Sequence, residues 1–115
     1  MHNIFLHGLG QTPTSWTQVL SFLEKEQIDC PNLFSFIKGR AATYENMYQA
    51  FRRYCNCFAE PFGLYGISLG AVLALNYAVE FPQKVASLVL IAPQFKMPKM
   101  LLSVEISNGT FSYYA

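Results

Sequence analysis

The sequence predicts an α/β fold, a parallel sheet with flanking helices. Three observations carry this. Short runs at Asn3 to Leu6, Phe62 to Tyr65 and Ala86 to Ile91 are apolar almost throughout, as in strands buried on both faces. Segments with helical spacing separate them, and strands that alternate with helices build a parallel sheet through right-handed crossovers. The chain has 115 residues, 52% apolar and 13% charged, which suits one packed domain and argues against disorder.

Taken in order, Asn3 to Leu6 is the first strand and His7 to Gln11 a loop with two glycines. Thr12 or Thr14 can cap a helix whose first turn accommodates Pro13. Trp16, Val19, Leu20 and Leu23 fall at i, i+3, i+4 and i+7 and predict its buried face; Glu24, Lys25 and Glu26 mark its solvated end. A short second strand is expected within Ile28 to Phe34, where Pro31 interrupts the pattern. After a loop at Lys38 to Ala42, Thr43 caps a helix with the apolar stripe Tyr44, Met47, Tyr48, Phe51, Tyr54 and Cys55. A stripe of Met and aromatic residues at this spacing is core before it is a ligand site. Arg52 and Arg53 suit the C-terminal end of that helix. The Phe62 strand, a helix over Ala71 to Phe81 and the Ala86 strand complete the pattern.

Between the Phe62 strand and the next helix stands Gly66-Ile67-Ser68-Leu69-Gly70, a G-x-S-x-G sequence. A chance match in a glycine-rich loop is the alternative, but the strand before and the helix after give the pentapeptide its structural context. A serine lifted off a sheet on so sharp a turn has a strained backbone, and side chains at 66 and 70 would collide with neighbouring elements. The Leu69 N–H then opens a helix, and unpaired N–H groups at a helix N-terminus suit a developing oxyanion.

These residues resemble the nucleophile elbow of the α/β-hydrolase family. His7-Gly8-Leu9-Gly10 with Trp16 beyond it is similar to the loop that carries the other oxyanion-hole N–H there, which the resemblance assigns to Leu9. Glu80-Phe81-Pro82-Gln83-Lys84-Val85 and the run Ser87 to Pro93 are similar to the family's next helix end, turn and strand. The resemblance covers about Asn3 to Pro98 and implies a partial, truncated α/β-hydrolase fold with strand order 2-1-3-4. It divides the chain into residues 1–98, an N-terminal half of the core, and residues 99–115, the start of a cap or an aberrant tail. The order reverses between strands 1 and 3, so a crevice opens at their carboxyl ends, where Ser68 and Leu9 both lie. The implied activity is that of a serine hydrolase on a carboxylic ester or related acyl compound. Ser68 is its nucleophile, Leu9 and Leu69 form the oxyanion hole, and His7, Gly8, Gly66 and Gly70 support them. The implied partner is a small acyl substrate, with no cofactor and no metal.

The relay behind the serine is missing. A serine nucleophile needs a base, and the base an orienting acid; the resemblance places both after the elbow. No histidine follows Ser68. His2 lies at the opposite end of the first strand, and His7 is expected to shape the oxyanion loop rather than act as base. Glu80 sits on a helix leading away, Glu105 in the tail, and Asp29 on the far edge of the sheet. The chain alone is therefore expected to be inactive, or to serve as an interaction module. Its last strand, apolar on both faces, is expected to leave an edge open to self-association.

The remaining features exclude more than they assign. A net charge of +1 with both signs scattered gives no nucleic-acid or membrane-surface footprint, and no apolar run reaches the length of a membrane span. The chain opens on a strand with no export signal, so a cytoplasmic setting is expected. Cys30, Cys55 and Cys57 then read as reduced thiols, and Cys55-Asn56-Cys57 lacks the further ligands of a metal site.

Overall fold

Four stretches of the chain pair side by side in one parallel sheet. The computed structural model describes residues 1–23 and 27–94. The strands are β1 (Asn3–Leu6), β2 (Ile28–Asp29), β3 (Phe62–Ile67) and β4 (Val85–Ile91), in the spatial order β2-β1-β3-β4. This is the arrangement expected of a partial α/β-hydrolase sheet. The register aligns Leu6 with Gly66 and Ile67 with Ile91. The three loops that follow β1, β3 and β4 therefore leave the sheet at one end.

One face of the sheet is covered by two helices, α2 (Tyr44–Asn56) and α3 (Leu69–Glu80). Helix α2 begins where Thr43 accepts a hydrogen bond from the Asn46 N–H at 3.1 Å, which satisfies one of the open donors of its first turn. Its buried face is Tyr44, Met47, Phe51 and Cys55; Tyr48 and Tyr54, also expected there, are half-buried at its margin. The polar tips at that margin are satisfied. Tyr48 donates to Glu80 at 2.6 Å, Tyr77 donates to Asn56 at 2.7 Å, and Asn76 donates to the Tyr44 hydroxyl. Arg52 Nε lies 3.3 Å from Glu80 without hydrogen-bond alignment, so the two are paired by charge alone. Helix α3 is buried from Leu69 through Ala74 and again at Tyr77. Tyr77 packs against Phe51, Phe62 and Phe81, and burial pushes its hydroxyl pKa up to about 12.

The opposite face is thinly covered. Phe5 stacks on Tyr65 at 4.5 Å, and Trp16 meets Phe5 edge-on at 5.0 Å. The first helix is shorter than its spacing predicts: a 3₁₀ turn over Pro13–Trp16, then α1 (Thr17–Leu20). Of the expected stripe only Trp16 is buried, while Val19 and Leu23 are 44% and 41% exposed. They border a groove of ≈ 550 Å³ that Met1, Tyr65, Val89 and Ile91 line from the other side. A helix whose apolar face meets no packed partner has little to hold it beyond one turn.

Other boundaries move for local reasons. β2 stops at Asp29, because Pro31 cannot donate to a ladder and Asn32 caps a 3₁₀ turn over Leu33–Ile37. β3 runs to Ile67, α3 starts at Leu69 instead of Ala71 and ends at Glu80, and β4 starts at Val85. The expectations for Glu24 to Glu26, for residues 99–115 and for Glu105 lie outside the described residues. Among the described residues no helix is long and apolar enough to cross a membrane.

Two measurements follow from this packing. Phe51→Ala should cost about 3–5 kcal/mol in urea denaturation, since the ring is fully buried between both helices. The thiols should alkylate in a fixed order at pH 8. Cys57 is exposed, Cys30 is half-buried, and burial raises the pKa of both Cys30 and Cys55. A raised pKa leaves less thiolate at a given pH. Iodoacetamide with mass spectrometry should find Cys57 first, Cys30 later and Cys55 only on unfolding.

Candidate active site

The turn between β3 and α3 is one residue long. Ser68 alone occupies it, with φ 58 and ψ −117, a region that residues other than glycine rarely adopt and that costs about 1–3 kcal/mol. The surroundings hold it there. The Ser68 N–H donates to the Ile91 carbonyl at the end of β4 at 2.9 Å, and the Ser68 carbonyl accepts from Ala71 and Val72 in the first turn of α3.

The two glycines are explained by backbone contact. A Cβ on Gly66 would stand 2.4 Å from the Gly70 carbonyl oxygen and 2.6 Å from the Ala71 nitrogen. A Cβ on Gly70 would stand 2.4 Å from the Leu6 carbonyl oxygen and 2.7 Å from that of His7. Thus α3 rests directly on the backbones of β3 and β1, and no flexible side chain could yield to make room.

The loop after β1 is drawn against the same turn. A Cβ on Gly8 would lie 2.9 Å from Ser68 Cβ. The Gly8 N–H donates to the Gln11 side chain at 2.7 Å, and the Gln11 N–H returns a bond to the Gly8 carbonyl at 3.1 Å. Leu9 follows in this tight turn, half-buried against the core. Among the described residues neither the Leu9 nor the Leu69 N–H finds a hydrogen-bond acceptor. The Leu69 N–H is among the open donors that the first turn of any helix leaves.

His7 is fully buried, and both ring nitrogens are engaged. The Leu33 N–H donates to Nε2 at 2.9 Å, so Nδ1 carries the hydrogen and donates to the Gly8 carbonyl at 2.9 Å. The imidazole ties the loop after β1 to the turn after β2 and has no nitrogen left to take a proton from Ser68. His2 and Asp29 do contact each other, but His2 is level with Gly63 at the start of β3. Ser68 lies five residue steps beyond that level, about 16 Å. Glu80 lies at the far end of α3, about 17 Å along the helix axis, and is held by Tyr48 and Arg52. No described histidine or carboxylate stands beside the serine.

A family model described as the alpha/beta hydrolase family matches residues 4–112. The chain belongs to the alpha/beta hydrolase family. No curated protein matches this hydrolase-family chain. Among its described residues no group of three His, Cys, Asp or Glu side chains is placed to hold a metal ion.

Two features of the site differ from expectation or were not anticipated. Ser68, lifted off the sheet on its turn, is half-buried. Gln94, to which the sequence reading gives no role at the site, contacts it. The chain reverses after β4 at Ala92, with φ 44, and Pro93 is buried. Gln94 is thereby laid over the serine: Ser68 Oγ donates to Gln94 Oε1 at 2.7 Å, and the Gln94 N–H donates to the Ser68 carbonyl at 3.3 Å. The one available signal was that β4 neighbours β3, so residues just past its end come near Ser68.

Gly66→Ala or Gly70→Ala should each lose about 1–3 kcal/mol or more, because backbone must shift to admit the methyl group. His7→Ala should lose about 1–3 kcal/mol from the stranded Leu33 N–H alone. Urea unfolding of the three variants checks both statements.

Proposed function

We propose that this chain carries the nucleophile and oxyanion hole of a serine hydrolase acting on carboxylic esters or related acyl compounds. The observation that carries the reading is the strained one-residue turn at Ser68, set at the N-terminus of α3 with the Leu9 loop pressed against it. In this reading Ser68 Oγ attacks the acyl carbon, and the carbonyl oxygen becomes an oxyanion held by the Leu9 and Leu69 N–H groups. The hydroxyl proton must pass to a base and then to the leaving alcohol. Neither histidine can take it, since His7 is committed to Leu33 and Gly8, and His2 stands at the wrong end of the sheet. The scheme draws on no cofactor and no metal. Free thiols at Cys30, Cys55 and Cys57 suit a reducing, cytoplasmic setting.

The test has two arms. A fluorophosphonate should label Ser68 slowly, and Ser68→Ala should abolish the label. On p-nitrophenyl acetate the chain should turn over no faster than Ser68→Ala, beyond the trace that oxyanion stabilisation leaves in triad-deleted enzymes. Labelling elsewhere would remove Ser68 as the nucleophile. Robust serine-dependent turnover would mean that a base works within these residues.

A second reading, an inactive chain that associates, is favoured by β4. Among the described residues its outer edge is unpaired, and Leu88, Val89 and Ile91 are 36–44% exposed. An open apolar edge is a template for pairing. Size-exclusion chromatography with light scattering should show species larger than 13.0 kDa that grow with concentration. A clean monomer with a sharp thermal transition would contradict it.

A further inference from the structure

We infer that Gln94 is a positioning residue for Ser68, its amide oxygen holding the hydroxyl proton and so fixing where the oxygen's lone pairs point. The inference rests on the reading of Ser68 as nucleophile. A serine hydroxyl has one proton and two lone pairs, and rotates freely unless something holds it. Here the proton is committed to Gln94 Oε1 at 2.7 Å. The contact is built, not incidental. Gln94 binds Ser68 a second time through its backbone N–H, at 3.3 Å, and the preceding turn takes φ 44 at Ala92 with Pro93 buried. That non-glycine conformation costs energy and persists only where its surroundings impose it.

The chemistry of the acceptor decides what the contact does. An amide oxygen accepts a hydrogen bond but does not take up the proton near neutral pH. Gln94 therefore orients the hydroxyl without activating it. The direction matters because Gln94 comes from β4, on one side of β3, and the Leu9 loop from β1, on the other. With the proton turned toward β4, the lone pairs turn away from it, toward the side where the Leu9 and Leu69 N–H groups can receive an acyl oxygen. A base must displace Gln94 from the proton before attack.

Three variants test this through the pH dependence of fluorophosphonate labelling at Ser68, followed by intact-mass spectrometry. Gln94→Glu is isosteric and places a carboxylate where the amide stood. Its labelling rate should climb as that carboxylate ionises, around its ordinary value of about 4.3, and level off about 10-fold or more above the parent chain. That gain falls short of the roughly 10²–10⁴-fold of an evolved base. Gln94→Asn and Gln94→Ala cannot reach the hydroxyl and should label about threefold more slowly, with no added pH dependence. Equal rates and profiles in all four proteins would overturn the inference. Loss of labelling at Ser68 in every form would instead remove the nucleophile reading. A separate measurement then still decides the contact. Melting-temperature losses of Ser68→Ala and Gln94→Ala should be non-additive in the double variant, and additive losses would overturn the inference.

Discussion

The close approach of α3 to the sheet is the constraint on which the rest depends. Its first turn lies on the backbones of β3 and β1, with room for hydrogen atoms only at positions 66 and 70. That approach leaves a single residue to join strand to helix, and Ser68 pays with φ 58. It also brings the N-terminus of a twelve-residue helix to the end of the sheet. The helix dipole and the open N–H of Leu69 are thus delivered to the serine by packing. The apolar interior repays the strain: Leu69, Val72, Leu73 and Tyr77 are buried against the sheet and α2 in the same stroke.

His7 holds the other half of the proposed site by a different means. A buried imidazole between the Leu33 N–H and the Gly8 carbonyl fixes the loop after β1 relative to the turn after β2. Gln11 closes that loop from within. The Leu9 N–H is therefore set by a hydrogen-bonded network and the Leu69 N–H by helix packing. Two independent supports meet at one end of the sheet, at the point where the strand order reverses. A histidine in this position is a strut, which is why one so near the serine cannot serve it.

Much of this was legible in the sequence, because it is governed by local chemistry. Gly66, Ser68 and Gly70 sit at a spacing that has one steric solution, and Thr43 with the Met47 and Phe51 stripe specifies a capped, half-buried helix. The strand order followed from the family resemblance carried by those motifs. What could not be read depends on what lies opposite. Val19 and Leu23 have helical spacing, yet no packed partner faces them. Asn32 ends β2 early by offering its side chain to the backbone. Gln94 reaches Ser68 only through the reversal at Ala92, a conformation that alanine does not announce.

In the proposed function Ser68, Leu9 and Leu69 form one oxyanion-binding unit. Amide chemical shifts in a ¹⁵N-labelled protein phosphonylated at Ser68 test it most directly, since the phosphonyl oxygen stands where an oxyanion would. The Leu9 and Leu69 N–H resonances should both move downfield, as donors do on binding an anionic oxygen, and exchange more slowly with solvent. A phosphonylated protein in which Leu9 keeps its shift and exchange rate while Leu69 alone responds would contradict it.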